Sequence, residues 1–322
     1  MNRYFFVCIC VLCLADAKAQ NTTWLTGVKD TSYSNQGDYR SIKKKYPFIK
    51  LVTDQTQENV KEERNLVYRK VRKRKLHIDA FLPMVIPKTP AMIIVHGGGW
   101  RSGNRTQHVP LAQHLAAHKI ASFTVEYRLS TEAFYPAAVF DLKASVRWLK
   151  ANAKKFNVDT NKIAILGFSA GGQLAALLGV TAGIAKLEDK TLKKYSSAVN
   201  AVIDIDGTLS FVHPESWEAQ NVNNVNASAM WLGFPRTQRL DLWAEASPLN
   251  YGAQNNVPFL FLNSSVERMH AGRDDFIAMM DQKGIYTAVK TFKDSPHSFC
   301  LYEPWFDPML VDIVSFINKV FH

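Results

Sequence analysis

Residues 163–172 read Ile-Ala-Ile-Leu-Gly-Phe-Ser-Ala-Gly-Gly, a β-branched apolar run that enters a Gly-x-Ser-x-Gly turn. The small residues that follow, Gln173 to Leu178, suit a helix packed close against that strand. A chain that reverses this sharply needs Gly167 and Gly171, because a side chain at either would collide with the returning backbone. Such a turn lifts one serine hydroxyl, that of Ser169, above a parallel sheet. It also sets the N–H of Ala170 at a helix start, facing any negative charge that develops beside the serine.

The rest of the chain repeats the strand–helix rhythm that such a sheet requires. Apolar strands are expected at Ala91–Val95, Ala121–Tyr127, Val199–Ile205, Phe259–Asn263 and Tyr286–Phe292. Between them fall helical stretches near Val109–His118, Ala137–Lys154, Arg273–Lys283 and Met309–Val320; the second carries Val139, Leu142, Val146 and Leu149 on one face. This alternation predicts an α/β fold, a mostly parallel doubly wound sheet with helices on both faces. Two short antiparallel strands, Leu66–Val71 and Leu76–Phe81, precede it. From about Gly207 to Asn256 the rhythm breaks, and Trp217, Trp231, Phe234 and Trp243 stand among polar residues. We read that stretch as an insertion over the C-terminal edge of the sheet, where ligands bind in such folds. The expected organisation is an N-terminal arm and first strand over residues 20–75, then one catalytic domain over 76–322. A chain of 322 residues, 47% of them hydrophobic, is ample for one large core.

The first nineteen residues read differently. Arg3, an apolar stretch from Tyr4 to Ala15 and an Ala17-Lys18-Ala19 site have the form of a secretory signal peptide, too short for a stable membrane span. Export is therefore expected, periplasmic or extracellular. Its removal would take Cys8, Cys10 and Cys13 and leave Cys300, in an apolar run, with no partner for a disulfide. The formal net charge is +11, and much of the excess lies in Lys43–Lys45, Lys50, Arg69, Lys70 and Arg72–Lys75. A basic exported protein is attracted to polyanions, and with no nucleic-acid motif present an acidic polysaccharide is the expected partner.

Candidate chemistry gathers in three places. His96-Gly97-Gly98-Gly99-Trp100 follows an expected strand upstream of Ser169, and its glycines let backbone N–H groups converge on a carbonyl oxygen. A serine hydroxyl needs a general base to become a nucleophile. His297, in Asp-Ser-Pro-His-Ser-Phe after the last long strand, is in the right place, with His270 a rival. The base needs an acid to hold its tautomer, and the loop after Phe259–Asn263 offers Glu267, with Asp274 and Asp275 beyond it at the start of a helix. Glu267 is the expected acid. No His-Glu-x-x-His motif and no paired cysteines occur, so neither a metal nor a cofactor is expected.

His-Gly-Gly-Gly-Trp, Gly-Phe-Ser-Ala-Gly-Gly and Pro-His-Ser-Phe, in this order, resemble the α/β-hydrolase superfamily, close to its HGGG-type esterases and related carbohydrate esterases. Glu126–Ser130, and Asp141 with Arg147-Trp148-Leu149, add to the likeness, which runs from about residue 76 to 322. It implies an oxyanion hole made by Gly98, Gly99 and Ala170, and ester hydrolysis through an acyl-serine. Ser264-Ser265-Val266-Glu267 departs from the Gly-x-x-Asp acid turn usual in that group. His270–Arg273 and Glu303–Phe306 resemble exported bacterial esterases of plant-polysaccharide breakdown. The implied substrate is pectin, through methyl or acetyl esters, with acetylated xylan or small esters as alternatives. A non-catalytic glycan-binding protein of the same fold is the reading from another class. Trp100 and Trp305 are candidates to stack on sugar rings, Arg101 and Arg273 to pair with a uronate carboxylate, and His270 to line the site.

Overall fold

The computed structural model describes residues 20–84, 88–221 and 225–322; the signal peptide read over residues 1–19 lies outside them. Ten strands run in chain order: β1 Lys50–Leu51, β2 Val60–Val71, β3 Arg74–Pro83, β4 Thr89–Val95, β5 Ala121–Val125, β6 Val158–Phe168, β7 Ala201–Ile205, β8 Phe259–Asn263, β9 Thr287–Thr291 and β10 Tyr302–Glu303. Eight of them form one sheet in the order β2-β3-β5-β4-β6-β7-β8-β9. The β2–β3 and β3–β5 pairs are antiparallel, and every pair from β5–β4 onward is parallel.

The parallel strands are buried on both faces, which is why they read as continuous apolar runs and not as alternating ones. Along β4, Ile93 points into one core with Phe123, Leu142, Leu174 and Phe259, while Ile94 points into the other with Leu115, Leu166, Leu262 and Ile313. The long helix Phe306–Phe321 covers the second core, and the helix Ala137–Ala151 covers the first. Cys300 is buried in the second core as a free thiol. Asp141, fully buried in the helix Ala137–Ala151, accepts from Arg128 Nε at 2.8 Å, Nη2 at 3.0 Å and the Arg128 N–H at 3.0 Å, fixing the chain where it leaves β5.

Two regions differ from the sequence reading. The hairpin strand starts at Val60, not near Leu66, and belongs to the main sheet, because a register shift between Glu63 and Leu66 carries it past Asn65 at φ 60°. The arm is less irregular than expected. It holds a helix, Asn35–Ile42, whose Ser34 cap accepts from Gly37 N–H, and β1, which pairs antiparallel with β10. The insertion contains no strand among its described residues, as its pattern suggested; short helices at Ala227–Leu232 and Leu240–Glu245 pack Trp231 and Trp243 into the first core. No helix of the described residues is long and apolar enough to cross a membrane.

Candidate active site

Strand β6 ends at Phe168, and the next residue, Ser169, adopts φ 56° and ψ −121° before the helix Ala170–Val180 begins. That geometry is sterically costly for a side-chain-bearing residue and holds only where the surroundings over-determine it. Here they do. A Cβ on Gly167 would lie 1.9 Å from Gly171 O, one on Gly171 would lie 2.3 Å from Val95 O, and Ser169 N–H donates to Ile205 O at 2.8 Å.

The Ser169 hydroxyl donates to His297 Nε2 at 2.9 Å, and His297 Nδ1–H donates to Asp206 Oδ2 at 3.0 Å. The acid is therefore Asp206, at φ 50° directly after β7, and not Glu267. Glu267 is exposed in the turn Glu267–His270 and faces a separate polar groove with Arg273, Asp274 and Thr291. Asp274 and Asp275 open the next helix, as their positions implied, and pair with Arg273 and His213 respectively. The physical reason is one of strand order. β7 and β8 are neighbours, so the ends of both lie within reach of His297, and the tip after β8 serves the acid instead of supplying it. Ser264 N–H donates to Asp206 Oδ1 at 2.8 Å, and His270 Nε2 lies 3.3 Å from the same oxygen.

Burial alone would push the Asp206 carboxyl up, but hydrogen bonds from His270, His297 and Ser264 outweigh it and hold the group at about 2. Two residues earlier, Asp204 shows the opposite outcome. Its Oδ1 accepts from the Gly207 N–H at 2.7 Å, while its Oδ2 has no partner among the described residues. Burial and the nearby Asp206 charge push this carboxyl well above the usual range. The sequence held one signal for Asp206: two carboxylates, Asp204 and Asp206, in and just after an otherwise apolar strand next in order to the serine strand.

The glycine loop lies beside the serine. Gly98 at φ 115° and Gly99 at φ 58° border Ser169, and a Cβ on Gly98 would fall 2.3 Å from Ser102 O. His96 takes no part in the triad. Buried and held at about 4 by desolvation, it stacks on Tyr127 at 4.4 Å and braces the loop through Nδ1 and Gly97 O at 2.8 Å. Trp100 Nε1–H donates to Gln173 Oε1 at 2.9 Å, and Gln173 Nε2–H donates to Ala246 O at 2.8 Å. One glutamine thus joins the loop, the serine helix and the insertion.

The remaining candidates separate. Trp100 is buried, stacks on Trp231 at 5.0 Å and lines a cavity of about 310 Å³ next to Ser169. His270 braces Asp206. Arg273 donates to Asn263 Oδ1 at 2.7 Å and to Asp274 at 2.8 Å, tying down the loop and lining the polar groove, not the serine cavity. Arg101 donates to Asp30 Oδ2 at 2.8 Å and anchors the arm. Trp305 packs edge-on against Tyr46 and Phe48, away from the serine cavities, because β10 pairs with β1 there. Sequence reasoning missed Arg268, which joins Trp217 of the insertion at the site. They line the serine cavity together, with the guanidinium 5.6 Å from the indole centroid. A second cavity, of about 400 Å³, meets Ser169 and His297 from the other side. Among the described residues no cluster of three or more His, Cys, Asp or Glu side chains is placed to hold a metal ion.

A serine on a strand–helix elbow, backed by histidine and aspartate on this strand order, defines the α/β-hydrolase fold with a serine triad. Residues 78–272, over half of the chain, match the BD-FAE family, and the chain belongs to it. Among individual relatives, esterase LipC of Mycobacterium tuberculosis is 30% identical over 182 residues, 55% of this chain and 44% of LipC. Carboxylesterase NlhH of the same species is 37% identical over 97 residues, 30% of each chain. The chain therefore spans less than half the length of these relatives. Solved structures show the same fold. A truncated carbohydrate esterase from gut microbiota matches at TM-score 0.67 and 23% identity, covering 82% of this chain and 99% of that one. Esterase Est2 of Thermogutta terrifontis matches at TM-score 0.65 and 22% identity, covering 82% and 95%.

Proposed function

We propose that this protein is an exported serine carboxylesterase acting on esterified plant cell-wall polysaccharide, with pectin the favoured substrate. The observation that carries the chemistry is the continuous path from Ser169 Oγ through His297 to Asp206, at 2.9 and 3.0 Å, beside the glycine loop. In this mechanism Ser169 Oγ attacks the ester carbonyl carbon as its proton passes to His297 Nε2. Asp206 stabilises the imidazolium, and the N–H groups of Gly98, Gly99 and Ala170 receive the oxyanion. Collapse expels the alcohol, which takes the proton back from His297, and water repeats the sequence to release the acid. An oxyanion donor of this kind is typically worth about 3 kcal/mol of barrier.

Support for a polymeric substrate is the shape and charge of the cleft. The two serine cavities share Ser169 and His297, and Arg268 is common to the cavity beside it and to a polar groove of about 740 Å³. Arg268 suits a uronate carboxylate, and the net charge of +11 favours a polyanion. One fold neighbour is itself a carbohydrate esterase. A second reading, hydrolysis of short-chain esters, has its own support in the esterases among the sequence relatives and in an Est2 structure with propionate bound. The leader-like residues 1–19 support export.

The deciding experiment measures methanol and acetate released from methyl-esterified pectin, acetylated pectin and acetylated xylan, with wild type beside Ser169→Ala. Release from pectin that disappears in the variant is expected. Turnover of a small aryl acetate without release from any polysaccharide would move the reading to short-chain esters. No turnover of any of them would end the esterase reading.

A further inference from the structure

The 400 Å³ cavity beside Ser169 is built only in part from the hydrolase core. Phe168, Gly98, Gly99, Ser102 and Ser298 form one wall, and Ser32, Tyr33, Asp38 and Ile42 of the N-terminal arm form the other. These arm residues lie outside the stretch that matches the family. The arm is docked along its length and not draped loosely. Gly27 N–H donates to Thr131 O at 2.9 Å, Asp30 pairs with Arg101, Asn35 Nδ2–H donates to Gln107 O at 2.9 Å, and β1 pairs with β10. The wall is therefore held in place before any ligand arrives, which lowers the ordering cost of binding.

Its chemistry is specific. Tyr33 lines the cavity, and its hydroxyl is buried. Tyr302 OH donates to Asp38 Oδ2, while Asp38 Oδ1 receives no hydrogen bond from the described residues. No lysine or arginine among them pairs with Asp38. The cavity thus offers an aromatic ring, a carboxylate acceptor and the hydroxyls of Ser32, Ser102 and Ser298, with uncompensated negative charge. The opposite cavity carries Arg268. We infer that the arm completes a subsite for a neutral, hydroxyl-bearing sugar unit, one whose own carboxyl is absent or esterified, and that Asp38 turns away a free uronate there. A sugar fits because its ring C–H face packs on an aromatic while its hydroxyls donate to a carboxylate. A uronate carboxylate would face Asp38 as a like charge at short range.

This inference rests on the polysaccharide esterase reading, and the experiment separates the two. Binding is measured by calorimetry on the full chain as Ser169→Ala, using fully methyl-esterified and de-esterified oligogalacturonides, and again with Asp38→Asn or Tyr33→Ala added. Wild-type turnover of an aryl acetate is measured in parallel. Because Arg268 and the positive net charge attract a free uronate elsewhere in the cleft, the subsite is read from how each substitution changes the ratio of the two affinities. Asp38→Asn is expected to shift that ratio by about tenfold towards the de-esterified oligomer, because it removes the like charge at short range. Tyr33→Ala is expected to weaken both oligomers together. A ratio untouched by Asp38→Asn would overturn the subsite even if the aryl acetate is hydrolysed. The expected binding pattern with no turnover of the aryl acetate or of any esterified polysaccharide would keep the subsite and remove the esterase reading. Melting curves confirm that each variant is folded before it is titrated.

Discussion

Asp206 and Glu267 compete for one role, and the charge balance at each makes the difference measurable. Asp206 is fully buried, with three donors on its two oxygens; Glu267 is exposed, with none toward His297. Asp206→Asn is expected to lower kcat on an aryl acetate by about 10⁴-fold through the wrong histidine tautomer. Glu267→Gln should change it by no more than about two- to threefold, the range of surface substitutions. Steady-state rates on the same ester distinguish them. The depressed Asp206 carboxyl, about 2 against 3.8, contributes stability that is present above pH 4 and lost as the pH falls towards 2. His270→Ala removes one of its donors, so in a pH series of melting curves that loss should begin at higher pH, with kcat reduced and KM little changed. His270→Gln, which can still donate, should restore part of both. Asp204 has the opposite sign. Because burial raises its carboxyl, ionisation in the unfolded chain favours unfolding once the pH exceeds about 4. Asp204→Asn should therefore raise the melting temperature more at pH 7 than at pH 4, and equal effects at both would refute the assignment.

At the scale of elements, the serine helix, the glycine loop and the insertion act as one unit because Gln173 bridges them. Gln173→Ala would leave the buried Trp100 Nε1–H and the Ala246 carbonyl without that side chain, at a cost of about 1–3 kcal/mol for each stranded group. Urea titration should show a lowered midpoint at unchanged slope. Most elements were legible from the sequence for a physical reason. Strands buried on both faces need continuous apolar runs, so β4, β5, β7 and β8 were found where their composition placed them. Val60–Glu63 was not, since it lies on an edge strand whose residues from Lys61 to Asn65 are all polar, and such a run is as common in a solvated arm. The helix Asn35–Ile42 was missed because it has no fully buried face of its own and is stabilised by its docking contacts.

Across the whole molecule, charge is distributed unevenly about the cleft. Asp38 and Ile42 of the arm helix border the second cavity, while Arg40, Lys43, Lys44 and Lys45 stand exposed beside them. A basic surface next to an active site raises the local concentration of a polyanion, and salt screens it over about 8 Å at physiological ionic strength. Accordingly kcat/KM on partly de-esterified pectin should fall as salt rises, while that on an uncharged aryl acetate should hold. Replacing Arg40, Lys43 and Lys44 by glutamine should flatten the first dependence. A salt response that survives the triple variant would place the polymer contact elsewhere on the surface.

By itself the sequence determined the local parts of this protein: the elbow around Ser169, the glycine loop after β4, the buried parallel strands and the histidine loop at 297. Each rests on steric or hydrophobic requirements that act within a few residues. Only the tertiary structure decided which carboxylate faces His297, that Arg101 and Trp305 serve the arm instead of the cleft, and that the arm itself lines a cavity beside the serine. Those outcomes depend on strand order and on which strand ends and distant segments are brought together. Two neighbouring strands lie under about 5 Å apart, so either end can present an acid to the same imidazole, and no spacing along the chain distinguishes them.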